Sequence, residues 1–118
     1  AKRLIFLFMH GGVSQVDTFD PKPELTRRHG QPLPFPKPKV QFAETNNLLR
    51  SPWEFRQYGQ SGLPVSDLFP HVAQRVDDLC VVRSLHADQS AHGGAALQLH
   101  TGMGMFIRPS MGAWLVYG

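Results

Sequence analysis

The chain has 118 residues, a length that suits one domain, and its 42% hydrophobic and 18% charged residues are typical of a globular protein. Its 12 lysine and arginine residues exceed its 9 acidic residues by only three and are scattered, which argues against a nucleic-acid-binding protein. The single cysteine, Cys80, excludes an internal disulfide and a multi-cysteine zinc site. No apolar run approaches the roughly 20 residues that a membrane-spanning helix requires.

Two apolar segments are predicted to be buried strands. The first, residues 4–9, is a continuous run of leucine, isoleucine, phenylalanine and methionine that ends at His10. The second, residues 79–84, is also largely apolar and is followed by His86. Runs that are apolar on both faces are typical of strands inside a parallel sheet.

The segment between these strands carries several shorter signals. Asp20, followed by two prolines, predicts the start of a helix that ends near Gly30. Alternating prolines over residues 31–39 exclude a helix and predict an extended surface excursion, which is either a spacer or lid loop or a proline-rich ligand for a partner. The weak strand signals over residues 40–64 are interrupted by two glycines, and this pattern predicts a short hairpin.

Three more helices are predicted from their ends and their spacing. One begins at Ser66 and ends at residues 77–78, one includes residues 95–99 and ends at Gly102, and one opens at residues 109–112. The alternation of strands and helices favours an α/β class with a parallel sheet.

Polar side chains follow both predicted strands. His10 and Asp17 come after the first strand, and His86, Asp88 and His92 come after the second. Ligands bind at the carboxyl ends of parallel strands, so neighbouring strands would bring these groups together. Imidazole and carboxylate groups are suitable ligands for zinc and similar divalent ions. A histidine at a strand end is also often only a hydrogen-bonded loop residue, and the spacing leaves both interpretations open.

The segment 90–95, Ser-Ala-His-Gly-Gly-Ala, opens the helix after the second strand. Free backbone N–H groups at a helix start favour anions, so a nucleophile or an anion site is physically reasonable here. The alternative is a helix start made of small residues that packs closely on the sheet. Ser90 lacks the flanking glycines of a serine-hydrolase elbow.

Several motifs resemble a large bacterial family catalogued as the domain of unknown function number fifteen-oh-one. The longest is residues 4–23, which contains the His-Gly-Gly sequence that begins at His10. The resemblance covers essentially the whole chain and continues through residues 58–62, 68–71, 77–84 and 108–112.

This family looks like a branch of the alkaline phosphatase and sulfatase superfamily. The resemblance therefore implies a parallel-sheet sandwich with helices on both faces, and hydrolysis of sulfate or phosphate esters at a divalent metal centre. Zinc is the expected ion, with calcium, magnesium or manganese as alternatives, and the substrate would be an anionic ester, in some cases on a sulfated or phosphorylated polymer. Family members are longer and often exported through a twin-arginine signal, so residues 1–118 would be the amino-terminal portion of one larger domain.

The resemblance also implies roles for individual residues. His10 stands where a metal-binding aspartate is usual, and with Asp17 and His92 it makes the expected metal set. The usual nucleophile precedes the threonine of a Thr-Gly pair by nine residues, and counting back from Thr101 gives His92 instead of a serine, threonine or cysteine. His92 and His86 are therefore the candidate catalytic residues.

Three further residues are candidates for holding the anionic part of the substrate: Arg83, Ser90 and Arg108. Each arginine is equally compatible with a plain surface or ion-pair role. Because the usual nucleophile is missing, the alternative function is a non-catalytic, exported binding or cell-surface protein that keeps the fold.

Overall fold

A computed structural model describes residues 2–37 and 44–118 of the chain. It contains short helices and one small sheet, so the protein is of mixed α and β class. The contacts divide the chain into two compact units. We call Ser14–Arg83 the hairpin unit, and the chain before Ser14 together with the chain after Arg83 the terminal unit.

The hairpin unit is built on two antiparallel strands, β1 (Phe55–Tyr58) and β2 (Leu63–Ser66). The turn between them contains Gly59 and Gly62, whose φ angles of 65° and 64° lie in the left-handed region that glycine adopts at little cost. The hairpin predicted within residues 40–64 is confirmed, and its second strand extends to Ser66.

The core of the hairpin unit is small. Its buried apolar side chains are Val65, Ala73 and Val76. Phe19 and Phe69 pack against them as a stacked pair, with ring centroids 5.8 Å apart and ring planes 9° apart. The hairpin therefore gains stability from apolar contacts across one of its faces.

The helix predicted from Ser66 to residues 77–78 is divided in the structure. It consists of helix α3 (Pro70–Ala73) and a 3-10 helix (Val76–Asp78), which are separated by a turn. Ser66 is unavailable to a helix because it pairs with β1, and the residue before a proline disfavours helical backbone. The helix therefore starts at Pro70.

Two short helices precede the hairpin in sequence. Helix α1 (Gln15–Thr18) has no counterpart among the predicted helices, and helix α2 (Pro23–Arg27) is shorter than the helix predicted between its cap at Asp20 and its stop at Gly30. A helix of four residues has too few positions to show a periodic pattern, so α1 left no sequence signal.

The proline-rich excursion is confirmed as far as the structure describes it. Residues 31–37 are mostly exposed and form no helix or strand, whereas the remaining predicted positions, 38 and 39, lie outside the described residues. Its base is fixed by backbone bonds: the Gly30 amide donates to the Leu48 carbonyl at 2.9 Å, and the Leu48 amide donates to the Gln31 carbonyl at 2.8 Å.

The terminal unit contains the two longest described helices, α4 (His92–Thr101) and α5 (Met111–Tyr117). Helix α4 ends at Gly102, which has a φ of 75°, and α5 begins at Ser110, whose side chain accepts a hydrogen bond from the Ala113 amide at 3.2 Å. Both predicted helices are confirmed because their ends are determined by local sequence.

The two predicted core strands are corrected by the structure. Residues 4–9 and 79–84 lie outside any helix or strand, and most of their side chains are exposed. A strand requires a hydrogen-bonded neighbour, and the part of the chain that the structure describes pairs no strand with either segment. Separately, none of the described helices is long and apolar enough to cross a membrane.

Candidate functional site

A cavity of about 700 Å³ lies in the terminal unit. Its walls are mainly apolar and come from the segment before Val13, the loop around Leu85 and one side of α4. Among the described residues that line it, His86 and His92 are the ones with titratable side chains. The structure thus brings together the two histidines that were predicted to be catalytic.

His92 is the first residue of α4, and its ring lies beside Gly11. A Cβ placed on Gly11 would stand 3.7 Å from Cε1 of His92, which is ordinary van der Waals contact. Gly11 also has a φ of 82°, in the region that disfavours other residues. The glycine after His10 therefore permits the turn that carries the chain past the His92 imidazole.

The amino-terminal end of α4 carries unused backbone donors. The first helical bond runs from the Ala95 amide to the Ala91 carbonyl, at 3.0 Å. Ala91, the residue at the N-cap, has no polar side chain with which to cap the helix. The amides of residues 92–94 therefore lack acceptors within the helix, and they add partial positive charge beside His92.

Two hydrogen bonds attach the loop before α4 to the body of that helix. The Asp88 amide donates to Oε1 of Gln98 at 2.9 Å, and Nε2 of Gln98 donates to Oδ2 of Asp88 at 2.7 Å. Gln98 also lines the cavity, whereas Asp88 is exposed. This reciprocal pair fixes the backbone two residues after His86.

The amino-terminal segment packs on α4 through aromatic contacts. The rings of Phe8 and Phe6 meet the His100 ring edge-on, with centroids 4.5 and 5.3 Å away. The ring of His10 lies at 6.3 Å from that of Phe8. His10 is exposed and is not among the residues that line the cavity, although its neighbours Met9 and Gly11 are.

Asp17 belongs to the hairpin unit and is half-buried. The Ser14 hydroxyl donates to its Oδ2 at 2.6 Å. Hydrogen bonds from the side chains of Ser14 and then Ser51 hold the pKa of the Asp17 carboxyl below its ordinary value. The carboxylate therefore already has hydrogen-bond partners that stabilise its charged form.

The residues predicted to hold a metal are His10, Asp17 and His92. A zinc site needs at least three protein ligands in one place. Over residues 2–37 and 44–118, no group of three or more histidine, cysteine, aspartate or glutamate side chains is arranged to hold a metal ion. His10 and His92 belong to the terminal unit, whereas Asp17 belongs to the hairpin unit.

The predicted substrate-binding residues lie elsewhere. Ser90 and Arg108 are exposed residues of the terminal unit that do not line the cavity, and Arg83 is an exposed residue of the hairpin unit. Sequence reasoning missed Gln98, because a glutamine inside a helix carries no recognisable signal. The role of Gly11 had a visible signal in the paired glycines that follow the apolar run.

The family of this chain is identified by a match over its full length. The model of a family described as "Protein of unknown function (DUF1501)" matches residues 1–118, the whole chain. The chain belongs to this family. No curated protein and no solved structure matches it. The family resemblance is thus confirmed.

Proposed function

We propose that the protein hydrolyses sulfate or phosphate esters, with His86 and His92 as its catalytic residues. The observation that carries the proposal is that these two imidazoles line one cavity, with His92 at the amino-terminal end of α4. An imidazole can accept or donate a proton near neutral pH, which is what ester hydrolysis requires of a pair of groups. Unused N–H groups beside His92 favour an anionic substrate group.

The reaction follows from these two roles. One imidazole removes a proton from water, whose oxygen forms a bond to the phosphorus or sulfur. The ester bond to the leaving oxygen breaks, and the second imidazole, in its protonated form, donates a proton to that oxygen. The amides at the start of α4 stabilise charge that develops on the transferred group. The products are an alcohol or phenol and inorganic phosphate or sulfate.

A divalent ion and the parallel-sheet sandwich remain part of the proposal through the family resemblance. The sheet is supported by the family resemblance alone, because residues 4–9 lie outside any strand in the structure. Among the described residues no three such donor side chains are grouped, so zinc at His10, Asp17 and His92 would need additional ligands. Metal analysis of the purified protein tests this part separately from turnover.

The experiment measures the release of 4-nitrophenol from 4-nitrophenyl sulfate and from 4-nitrophenyl phosphate by the purified full-length natural protein. The proposal expects catalytic turnover of one ester, with competitive inhibition by the corresponding inorganic anion. An absence of turnover of both esters, in a folded protein supplied with zinc, calcium, magnesium or manganese, would contradict it.

A second candidate function is a non-catalytic binding protein that retains the fold. It is favoured by the mainly apolar walls of the cavity. It expects the same esters to bind at equilibrium without being cleaved. Calorimetric titration, run beside the turnover assay, distinguishes the two functions.

A further inference from the structure

The loop that carries His86 is attached to α4 at two places. At the first, Asp88 and Gln98 exchange two hydrogen bonds of 2.9 and 2.7 Å. At the second, the Gln89 side chain lies so close to α4 that a Cβ on Gly94 would stand 2.9 Å from Cγ of Gln89. Real Cβ atoms essentially never come so close, so a side chain at position 94 would force the Gln89 side chain to shift.

A third close approach also involves Gln89. A Cβ on Gly104 would lie 3.2 Å from the same Cγ, so the Gln89 side chain lies close to two glycines, Gly94 in α4 and Gly104 after it. Consecutive residues 88 and 89 are therefore both held against α4 or the turn that follows it. His86, two residues earlier, is at the cavity wall together with Ala87.

We infer that Gln98 is a positioning residue: by bonding both the amide and the carboxylate of Asp88, it holds the His86 loop against α4, so that His86 and His92 face one cavity. The two bonds require an amide side chain at position 98, because Gln98 accepts one bond through its amide oxygen and donates the other through its amide nitrogen. This role rests on the proposed function only for its effect on turnover. The placement of His86 is testable without any substrate.

Exchanging the amide and carboxylate groups between positions 88 and 98 tests this role. In Gln98→Glu the helix presents a carboxylate to the Asp88 carboxylate, and the second bond is replaced by repulsion. In the double variant Asp88→Asn with Gln98→Glu, the new amide donates to the new carboxylate, and the Asp88-position backbone amide keeps its acceptor. Gln57→Glu, on the exposed side of β1 in the hairpin unit, is the matched control for the added charge.

Two measurements on the full-length natural protein report directly on the position of the loop. Hydrogen exchange of the amide at position 88 is expected to become about tenfold faster in Gln98→Glu, and to return to the wild-type rate in the double variant. Modification of His86, which is already exposed, by diethylpyrocarbonate, measured by mass spectrometry relative to His71, is expected to change and return in parallel. The control variant is expected to change neither, and all four proteins should remain folded at the temperature of the measurement.

Turnover adds the third readout. If the protein cleaves an aryl ester, kcat should fall in Gln98→Glu with little change in KM, and it should recover in the double variant. Unchanged exchange and His86 modification in Gln98→Glu would overturn the positioning role, whatever the turnover assay gives. A failure of turnover in the wild type, with the loop readouts as expected, would instead remove the proposed function and leave the positioning role standing.

Discussion

The carboxylate of Asp77 occupies the space that a side chain at Gly59 would need. Asp77 belongs to the 3-10 helix of the hairpin unit, and its two oxygens accept hydrogen bonds from the amides of Gln60 and Ser61, each at 2.9 Å. The turn between β1 and β2 is therefore held from outside the hairpin by one acidic side chain.

Replacing Gly59 with alanine is expected to destabilise the protein by about 2 kcal/mol, since it combines an unfavourable positive φ with displacement of the Asp77 carboxylate. Urea denaturation gives the free energy of unfolding. Gly62→Ala is the matched control, because Gly62 has nearly the same φ and open space where its Cβ would stand. Equal losses in the two variants would show that Asp77 does not crowd this position.

The same carboxylate should make the stability of the hairpin unit depend on pH. Hydrogen bonds from Ser61 and then Gln60 hold the pKa of Asp77 below its ordinary value of 3.8. A group whose pKa is lowered by folding contributes its stability in full above its unfolded pKa, and loses that contribution as the pH falls through its folded pKa. We therefore expect stability to be lost below about pH 4.

The variant Asp77→Asn cannot titrate, so its loss of stability between about pH 6 and pH 3 should be smaller than that of the wild type. Asp78→Asn, one position later in the same 3-10 helix and also exposed, is the control and should retain the wild-type dependence. Denaturation at a series of pH values measures both. Identical curves for Asp77→Asn and the wild type would contradict the role of Asp77.

Ser66 and Thr18 offer a second matched comparison. Both are buried, yet the Ser66 hydroxyl has no hydrogen-bond partner among the described residues, whereas the Thr18 hydroxyl donates to the Ser14 carbonyl at 3.0 Å. Ser66→Ala should leave stability unchanged or raise it by up to about 1 kcal/mol, and Thr18→Val should lower it by about 1 kcal/mol. A loss in Ser66→Ala equal to that in Thr18→Val would reveal an unrecognised partner of Ser66.

The parts of the fold that could be predicted from sequence are those whose determinants are local. The end of α4 is marked by Gly102 and the start of α5 by Ser110, and both lie next to the helices that they limit. The hairpin is likewise a local structure. Residues 4–9 carry a strong strand pattern, but a strand also needs a neighbour, which the pattern of one segment does not supply.

The candidate site was predictable to the same extent. The sequence predicts that His10, Asp17, His86, Asp88 and His92 gather at one sheet edge, and of these the cavity in the structure is lined by His86 and His92. The prediction rested on two parallel strands, whereas in the structure the loop that carries His86 is bonded to Gln98 of α4. The catalytic roles of the two histidines stay predictions. Asp17 could not be placed from sequence, because its hydrogen bonds with Ser14 and Ser51 depend on the fold of the hairpin unit.

The central claim, that His92 takes part in ester hydrolysis, is tested most directly by the turnover of His92→Gln. Glutamine retains a polar side chain but cannot transfer a proton as imidazole does, so kcat should fall by at least about 100-fold. His71→Gln, which alters an exposed histidine of α3, should keep wild-type turnover. Wild-type turnover in folded His92→Gln would contradict the account.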